Sequence, residues 1–236
     1  GAYNYRVCNH DDNFVYSNCS SGFWNGQGYI DSVALPAGVN WAHTFGLPIY
    51  GYPGEWQGRV AVASNAPSLA VVAASSGQRS FAPTALSALP NVGTPAAPVN
   101  AGAANLAFGA DTNGGVFAVD LANGATPPGW SASKAGEAFV GGIAGVLKQY
   151  VGASYQASYT TDVLFLGSNT TGNLLAIDAR TGATVWTKAR ATSGATIATQ
   201  PWYVYGTNRL YVAYDNGGGV VAYGGIGSGA APGAPL

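Results

Sequence analysis

Asp162 to Lys188 reads DVLFLGSNTTGNLLAIDARTGATVWTK, three short apolar runs separated by two turns. Val163 to Leu166 closes on Gly167-Ser168-Asn169, Leu174 to Ile177 closes on Asp178, and Thr184-Val185-Trp186 forms the third run. Runs this short, bounded by glycine and Asx or serine signals, read as buried strands. The turn from Asp178 to Gly182 carries its own mechanism. An aspartate carboxylate accepts from backbone N–H groups two residues on, and glycine adopts the positive φ that closes such a turn. A meander of three strands cannot bury both of its faces alone, so the stretch implies further copies of itself.

The copies are present. With Leu164 as anchor, equivalent apolar runs recur at Phe14, Val60, Leu106 and Leu210, in steps of 46, 46, 58 and 46 residues along the chain. Twelve residues separate Leu174 from Trp186, Leu69 from Phe81 and Tyr29 from Trp41. Fourteen separate Val116 from Trp130, where Pro127-Pro128 lengthens the turn. Extended pieces precede each anchor, at Tyr3 to Val7, Pro48 to Tyr52, Ala96 to Val99, Ser154 to Ser158 and Pro201 to Val204. Four strands per unit, with glycine and Asx turns and an aromatic on the outer strand, predict an all-β chain forming a single β-propeller of about five four-stranded blades. The blades fall near 1–46, 47–82, 83–131, 151–190 and 191–223, which uses the 236 residues in one domain. A Gly/Ala/Pro tail follows at 224–236, and an insertion separates two blades at 132–150. Within that insertion Phe139, Ile143, Val146, Leu147 and Tyr150 recur at helical spacing, which predicts a short helix near 136–150 weakened by Gly141, Gly142 and Gly145.

The repeat from Leu164, LFLGSNTTGNLLAIDARTGATVW, resembles the blade repeat of the pyrroloquinoline-quinone-type propellers: strand, Gly-Ser, strand, Ala-x-Asp-x-x-Thr-Gly, then tryptophan. The repeat from Leu106 keeps the aspartate as Asp120, the repeat from Val60 has Ala73 in its place, and the first and last repeats keep mostly the spacing. The resemblance implies the fold, with Asp120, Asp178, Gly182, Trp41, Trp130 and Trp186 as blade-motif positions. The dehydrogenases of that family carry a vicinal disulfide, a tryptophan stacked on the cofactor and clustered calcium-binding acids. This sequence has no Cys-Cys pair and no acid cluster, so the resemblance points to noncatalytic scaffold members, without a cofactor.

Composition narrows the function classes. Charged residues make up 8 % of the chain, against roughly 25 % in ordinary soluble domains, and the formal net charge is −1. Nucleic acid and anionic membrane surfaces both demand clustered Lys and Arg, and the nine basic residues here are scattered. A start at Gly1-Ala2 without any methionine reads as a processed, secreted form with its signal peptide removed, located outside the cell or on its surface, and no apolar run is long enough for membrane insertion. Cys8 and Cys19 flank the turn suggested by His10 to Asn13, and a disulfide is expected if the hairpin brings their Cα atoms within about 7 Å. Two free, buried thiols are the alternative. Asn18-Cys-Ser and Asn169-Thr-Thr are glycosylation acceptor triplets at expected turns, read evenly against ordinary turn residues.

Catalytic constellations are poor. His10 and His43 have no nucleophile motif nearby, and the turns beginning at Asp111 and Asp215 offer fewer oxygens than the six to eight of a calcium site. The carboxylates available for a glycosidase funnel are Asp31, Glu55, Asp120, Glu137 and Asp178, two of them already engaged in turns. The sequence therefore reads as a secreted noncatalytic propeller acting as a structural or interaction module, with a self-assembling filament or surface layer as its extreme form. The partners expected are other copies of the chain or another extracellular protein. A carbohydrate-binding propeller, or a propeller enzyme such as a glycosidase, is the alternative. At the C-terminal end, the tail is too rich in glycine and proline for an outer strand, so Val220, Val221, Ala222 and Tyr223 are expected to form an open edge. That edge is capped either by a strand from outside the chain or by the chain's own tail.

Overall fold

The computed structural model describes residues 5–10, 14–19, 29–34, 39–44, 54–56, 59–64, 68–73, 75–76, 78–80, 84–85, 96–101, 104–130, 132–141, 143–146, 163–190, 192–204, 207–226 and 231–236. The described elements are almost entirely strands: β1 (Tyr5–His10), β2 (Phe14–Cys19), β3 (Tyr29–Ala34), β4 (Val39–Thr44), β5 (Gly54–Trp56), β6 (Arg59–Ser64), β7 (Ser68–Ala73), β8 (Thr84–Ala85), β9 (Ala96–Ala101), β10 (Ala104–Ala110), β11 (Gly115–Asp120), β12 (Ala132–Ser133), β13 (Ala144–Val146), β14 (Val163–Gly167), β15 (Leu174–Asp178), β16 (Thr184–Lys188), β17 (Trp202–Val204), β18 (Arg209–Tyr214) and β19 (Gly219–Tyr223). They pair, in chain order, into four sheets of four antiparallel strands and a fifth of three, β17-β18-β19. First strands of consecutive sheets lie beside one another, β5 against β1 and β9, and β13 against β9 and β17. This radial order of small meanders is that of a β-propeller. All five anchors fall in second strands, because each apolar run meets a neighbour on both sides and must be extended to satisfy its backbone there.

Cores lie between sheets. Phe108 and Ala118 of the third sheet pack with Leu164, Leu166, Leu175 and Ile177 of the fourth. Phe165, Ala176 and Trp186 of the fourth pack in turn with Leu210, Val212 and Tyr214 of the fifth. The fourth sheet thus gives one face to its predecessor and the other to its successor. Registers expose a slip within the repeat. Ala110 opposes Val116 across the β10–β11 hairpin, whereas Gly167 opposes Leu174 across β14–β15, so residues 111–115 close the first hairpin and 168–173, one more, the second. Leu106 consequently faces the fourth sheet while Leu164 faces the third. A one-residue shift exchanges the faces of a strand.

Consecutive sheets are clasped by the segments that run between them. In one, the Phe139 amide donates to the Asp111 carbonyl at the top of the third sheet, and Ala138 accepts from the Asn169 amide of the fourth at 2.7 Å. The next segment repeats the arrangement: Ile197 N–H donates to Ser168 O at 2.9 Å, and Asp215 N–H to Thr196 O at 3.0 Å. Gly172 sits at φ 72° beneath the second clasp, where an ideal Cβ would lie 2.1 Å from the Ala195 carbonyl oxygen. Only a glycine lets the backbones approach so closely.

Three expectations are corrected. The helix near 136–150 is absent among its described residues: Phe139 and Ile143 are buried in the core between the third and fourth sheets, and residues 144–146 form β13, paired with Val163 to Phe165. Three glycines withhold helix propensity, and the otherwise unpaired edge of β14 supplies hydrogen bonds that an isolated helix would not. The stretch 132–150 is consequently not an insertion, since β12 completes the third sheet and β13 begins the fourth. The extra residues lie in 147–162, between β13 and β14, with the expected strand Ser154 to Ser158, outside the described residues. Finally, Trp130 precedes β12 instead of standing on an outer strand. The Phe81 position and Pro48 to Tyr52 also lie outside the described residues.

Candidate interaction surface

The motif aspartates hold turns. Asp178 Oδ1 accepts from the amides of Arg180 at 2.8 Å and Thr181 at 3.0 Å, and the Gly182 amide, at φ 76°, donates to the Asp178 carbonyl at 2.8 Å. Asp120 repeats this with Ala122, its Oδ1 accepting at 2.7 Å, and with Gly124 at φ 77°. Both carboxylates are thereby spent on backbone. Glu137 accepts from Asn173 Nδ2 at 3.0 Å and from the Thr171 hydroxyl, which ties the clasp to the fourth sheet. Asp111 is fully buried, its Oδ1 accepting from the Asn113 and Gly115 amides at 2.9 and 2.8 Å. Asp215 takes both the hydroxyl and the amide of Thr196, at 2.6 and 2.9 Å, and these bonds hold its carboxyl below the usual range. Desolvation lowers Lys134, whose Nζ reaches the Gly182 carbonyl at 3.4 Å. Among the described residues no group of three or more His, Cys, Asp or Glu side chains is placed to hold a metal.

The tryptophans bind sheets together. Trp130 is buried, 6.0 Å from Phe108 between ring centroids, and its Nε1–H donates to the Ala179 carbonyl of the fourth sheet at 2.9 Å. Trp186 is buried 5.7 Å from Phe165. Trp41 lies in β4 opposite Ser32. In the first hairpin Cys19 opposes Tyr5, while Cys8 falls at the bulge between Val7 and Asn9. The side chains of both cysteines lie outside the described residues. Asn18 lies within β2, opposite Arg6, and not at a turn. Asn169 does follow a strand, half-buried, with its side-chain oxygen accepting from the Thr196 hydroxyl at 3.3 Å.

The edge at Val220 to Tyr223 is the outer strand of the fifth sheet, and the chain's own tail returns to it. The Leu236 amide donates to Ala222 O at 2.9 Å, and the Leu236 side chain lies against Gly224. What the tail leaves open is a face. Within the fourth sheet one row of the successor side runs Ala144, Phe165, Ala176, Trp186, and all four are buried. Its counterpart in the fifth sheet runs Trp202, Tyr211, Ala222, with Trp202 68 % exposed and the other two partly buried. One row over, Leu174 and Val116 are buried in the fourth and third sheets, whereas Val220 is 73 % exposed. Alternation on β18 shows the same division: Leu210, Val212 and Tyr214 are buried, and Arg209, Tyr211 and Ala213 are not. Sequence reasoning identified this strand but not the face, since exposure depends on whether a sixth sheet or the first one covers it. The only cue was an aromatic pair, Trp202 and Tyr211, where the fourth sheet has Ala144 and Phe165.

No family model matches the chain, and no curated protein matches it in sequence. Solved structures match in fold. BamB from Moraxella catarrhalis aligns at 17 % identity with a TM-score of 0.66, covering 95 % of this chain and 61 % of its own. A chain of the mitotic checkpoint complex aligns at 11 % identity and TM-score 0.68, covering 98 % of this chain and 65 % of that one. The quinohemoprotein alcohol dehydrogenase from Comamonas testosteroni aligns at 13 % identity and TM-score 0.63, covering 95 % and 42 %. BamB and the dehydrogenase are PQQ-like propellers, so the likeness reaches the propeller fold, and the chain spans less than two thirds of each matched protein.

Proposed function

We propose that this chain is a noncatalytic propeller module that works by binding protein, outside the cell or at its surface. The observation that carries the reading is the successor face of the fifth sheet, which keeps Trp202 exposed where its fourth-sheet counterpart Ala144 is buried, and Val220 exposed where Leu174 of the fourth sheet and Val116 of the third are buried. Exposed aromatic and aliphatic side chains grouped on one face mark a contact surface. The described carboxylates support the noncatalytic side, because Asp120, Asp178 and Asp215 hold turns and clasps instead of converging on a shared space. The charge-poor composition, 8 %, suits a surface that binds by shape and apolar area.

Carbohydrate binding is the second reading, favoured by the exposed Trp202 beside Tyr211, since aromatic faces stack on sugars. The two are separated by a glycan array, a panel of chromogenic glycosides, and an alcohol-oxidation assay with pyrroloquinoline quinone and calcium. Protein binding predicts no saturable response in any of the three. Turnover or specific glycan binding by the purified chain refutes it.

A further inference from the structure

Asn-Gly pairs occur at 25–26, 113–114, 123–124 and 216–217, the first of them outside the described residues. Asparagine before glycine is a reactive pair, because a glycine amide nitrogen, unshielded by a side chain, can reach the carboxamide carbon of the residue before it. The three described asparagines all stand in turns, yet the fold holds them differently. From that difference we infer that Asn216 is a site of self-modification in the folded protein. Attack by the Gly217 nitrogen converts it to aspartate and isoaspartate, while Asn113 and Asn123 are held out of reaction.

The chemistry needs no reactant beyond water. The Gly217 nitrogen bonds to the side-chain carbonyl carbon of Asn216, and the side-chain nitrogen leaves as ammonia, carrying away the proton that the amide loses. A five-membered succinimide remains. Water then opens the ring at either carbonyl. Opening at the side-chain carbonyl leaves an ordinary main chain with aspartate, and opening at the α-carbonyl leaves isoaspartate, with the main chain routed through one additional methylene. One water is consumed, one ammonia is released, and nothing is oxidised or reduced.

Geometry favours one turn of the three. The Gly124 amide is engaged, donating to Asp120 O at 2.8 Å, and Asn123 Oδ1 accepts from the Ala125 amide at 2.8 Å. Attack there would break both bonds. Gly114 is buried against the Lys134 carbonyl, with no room even for a Cβ, and the Asn113 amide is tied to Asp111 Oδ1 at 2.9 Å. Asn216 and Gly217 are both exposed, and a Cβ on Gly217 would meet open space. Among the described residues neither the Gly217 amide nor the Asn216 carboxamide has a hydrogen-bond partner. Asn216 at φ 51° and Gly217 at φ 85° show the positive pair of a primed hairpin turn, and Gly218 and Gly219 follow. The rotation that brings nitrogen to carbon therefore moves little besides glycine backbone. The Gly218 amide, which donates to Asp215 O at 3.0 Å, is the turn bond that must yield.

The product alters a fastening. Asp215, the residue before Asn216, takes the hydroxyl and the amide of Thr196 at 2.6 and 2.9 Å and so helps clasp the fourth sheet to the fifth. Isoaspartate lengthens the main chain directly beside it, and either product sets a second carboxylate next to that of Asp215, where like charges repel. The modified chain is a form with a looser clasp, which accumulates with age.

The test is peptide mapping by mass spectrometry after incubating the purified protein in mildly alkaline buffer, with conversion followed at each asparagine. In the folded protein Asn216 should convert at least tenfold faster than Asn113 or Asn123, because local structure restrains the other two. In concentrated urea the three should come within about threefold of one another. The isoaspartate form, separated by ion exchange, should melt below both the starting chain and Asn216→Gly, a variant that accepts the positive φ and cannot form the ring. Comparable rates at the three positions in the folded protein, or a tenfold lead for Asn216 that persists in urea, would overturn the assignment of the site to the fold. An isoaspartate form that melts with the starting chain would overturn its link to the clasp.

Discussion

Replacing Trp130 by phenylalanine tests whether an indole fastens the third sheet to the fourth. In the folded chain Nε1–H donates to the Ala179 carbonyl at 2.9 Å, forty-nine residues away, at a point where Ala179 is fully buried. Phenylalanine keeps most of the ring beside Phe108 and removes the donor. The stranded carbonyl costs about 1–3 kcal/mol, as buried acceptors without a partner do, and the smaller ring leaves a gap worth roughly 1 kcal/mol. A loss of about 2–4 kcal/mol is therefore expected, against about 3–5 for alanine, which removes the packing as well. Urea unfolding followed by circular dichroism measures both. The midpoint should fall while the denaturant dependence stays constant, because the surface exposed on unfolding hardly changes. Trp202→Phe is the control, with a change below about 0.5 kcal/mol expected at an exposed position. A Trp130→Phe protein as stable as wild type would show that the indole bond carries nothing and that shape alone joins these sheets.

Gly172→Ala should destabilise by about 2–4 kcal/mol, since it combines a positive φ with a Cβ driven against the Ala195 carbonyl. Gly194→Ala, at φ 80° with open space around it, should lose only the backbone strain of about 1–2 kcal/mol. Equal losses in urea titrations would discount the clasp. The Asp215 carboxyl is held low by Thr196, so its contribution is present above the unfolded carboxylate pKa near 3.9 and disappears as pH falls through the lower folded value. Melting temperatures between pH 5 and 2 should therefore fall less steeply for Asp215→Asn than for wild type, and parallel curves would contradict the linkage.

The strands were legible where apolar runs were short and firmly punctuated. Phe14, Val60, Leu106, Leu164 and Leu210 all sit in second strands, and Asp178 with Gly182 makes the turn expected of it. Faces were not legible. Aligning Leu106 with Leu164 places two leucines that point in opposite directions in one column, because one more residue in the 168–173 hairpin shifts the register. Spacing alone also misread 136–150. Phe139 and Ile143 satisfy helical periodicity, yet both are buried without a helix among the described residues, and the edge of β14 claims the residues that follow. The contact face escaped for a related reason. Trp202, Val220 and their buried counterparts are all apolar, and only the presence or absence of a covering sheet distinguishes them.

The segments around Ala138 and Thr196 each donate and accept across two sheets, so neither belongs to one repeat alone. Gene duplication or protein engineering that cuts the chain between sheets would sever a shared fastening on both sides and leave each fragment with unpaired amides. The 147–162 connection between β13 and β14 already carries the extra length of the fourth repeat, which marks it as the place where this architecture accepts new sequence, and as the first choice for joining a foreign domain.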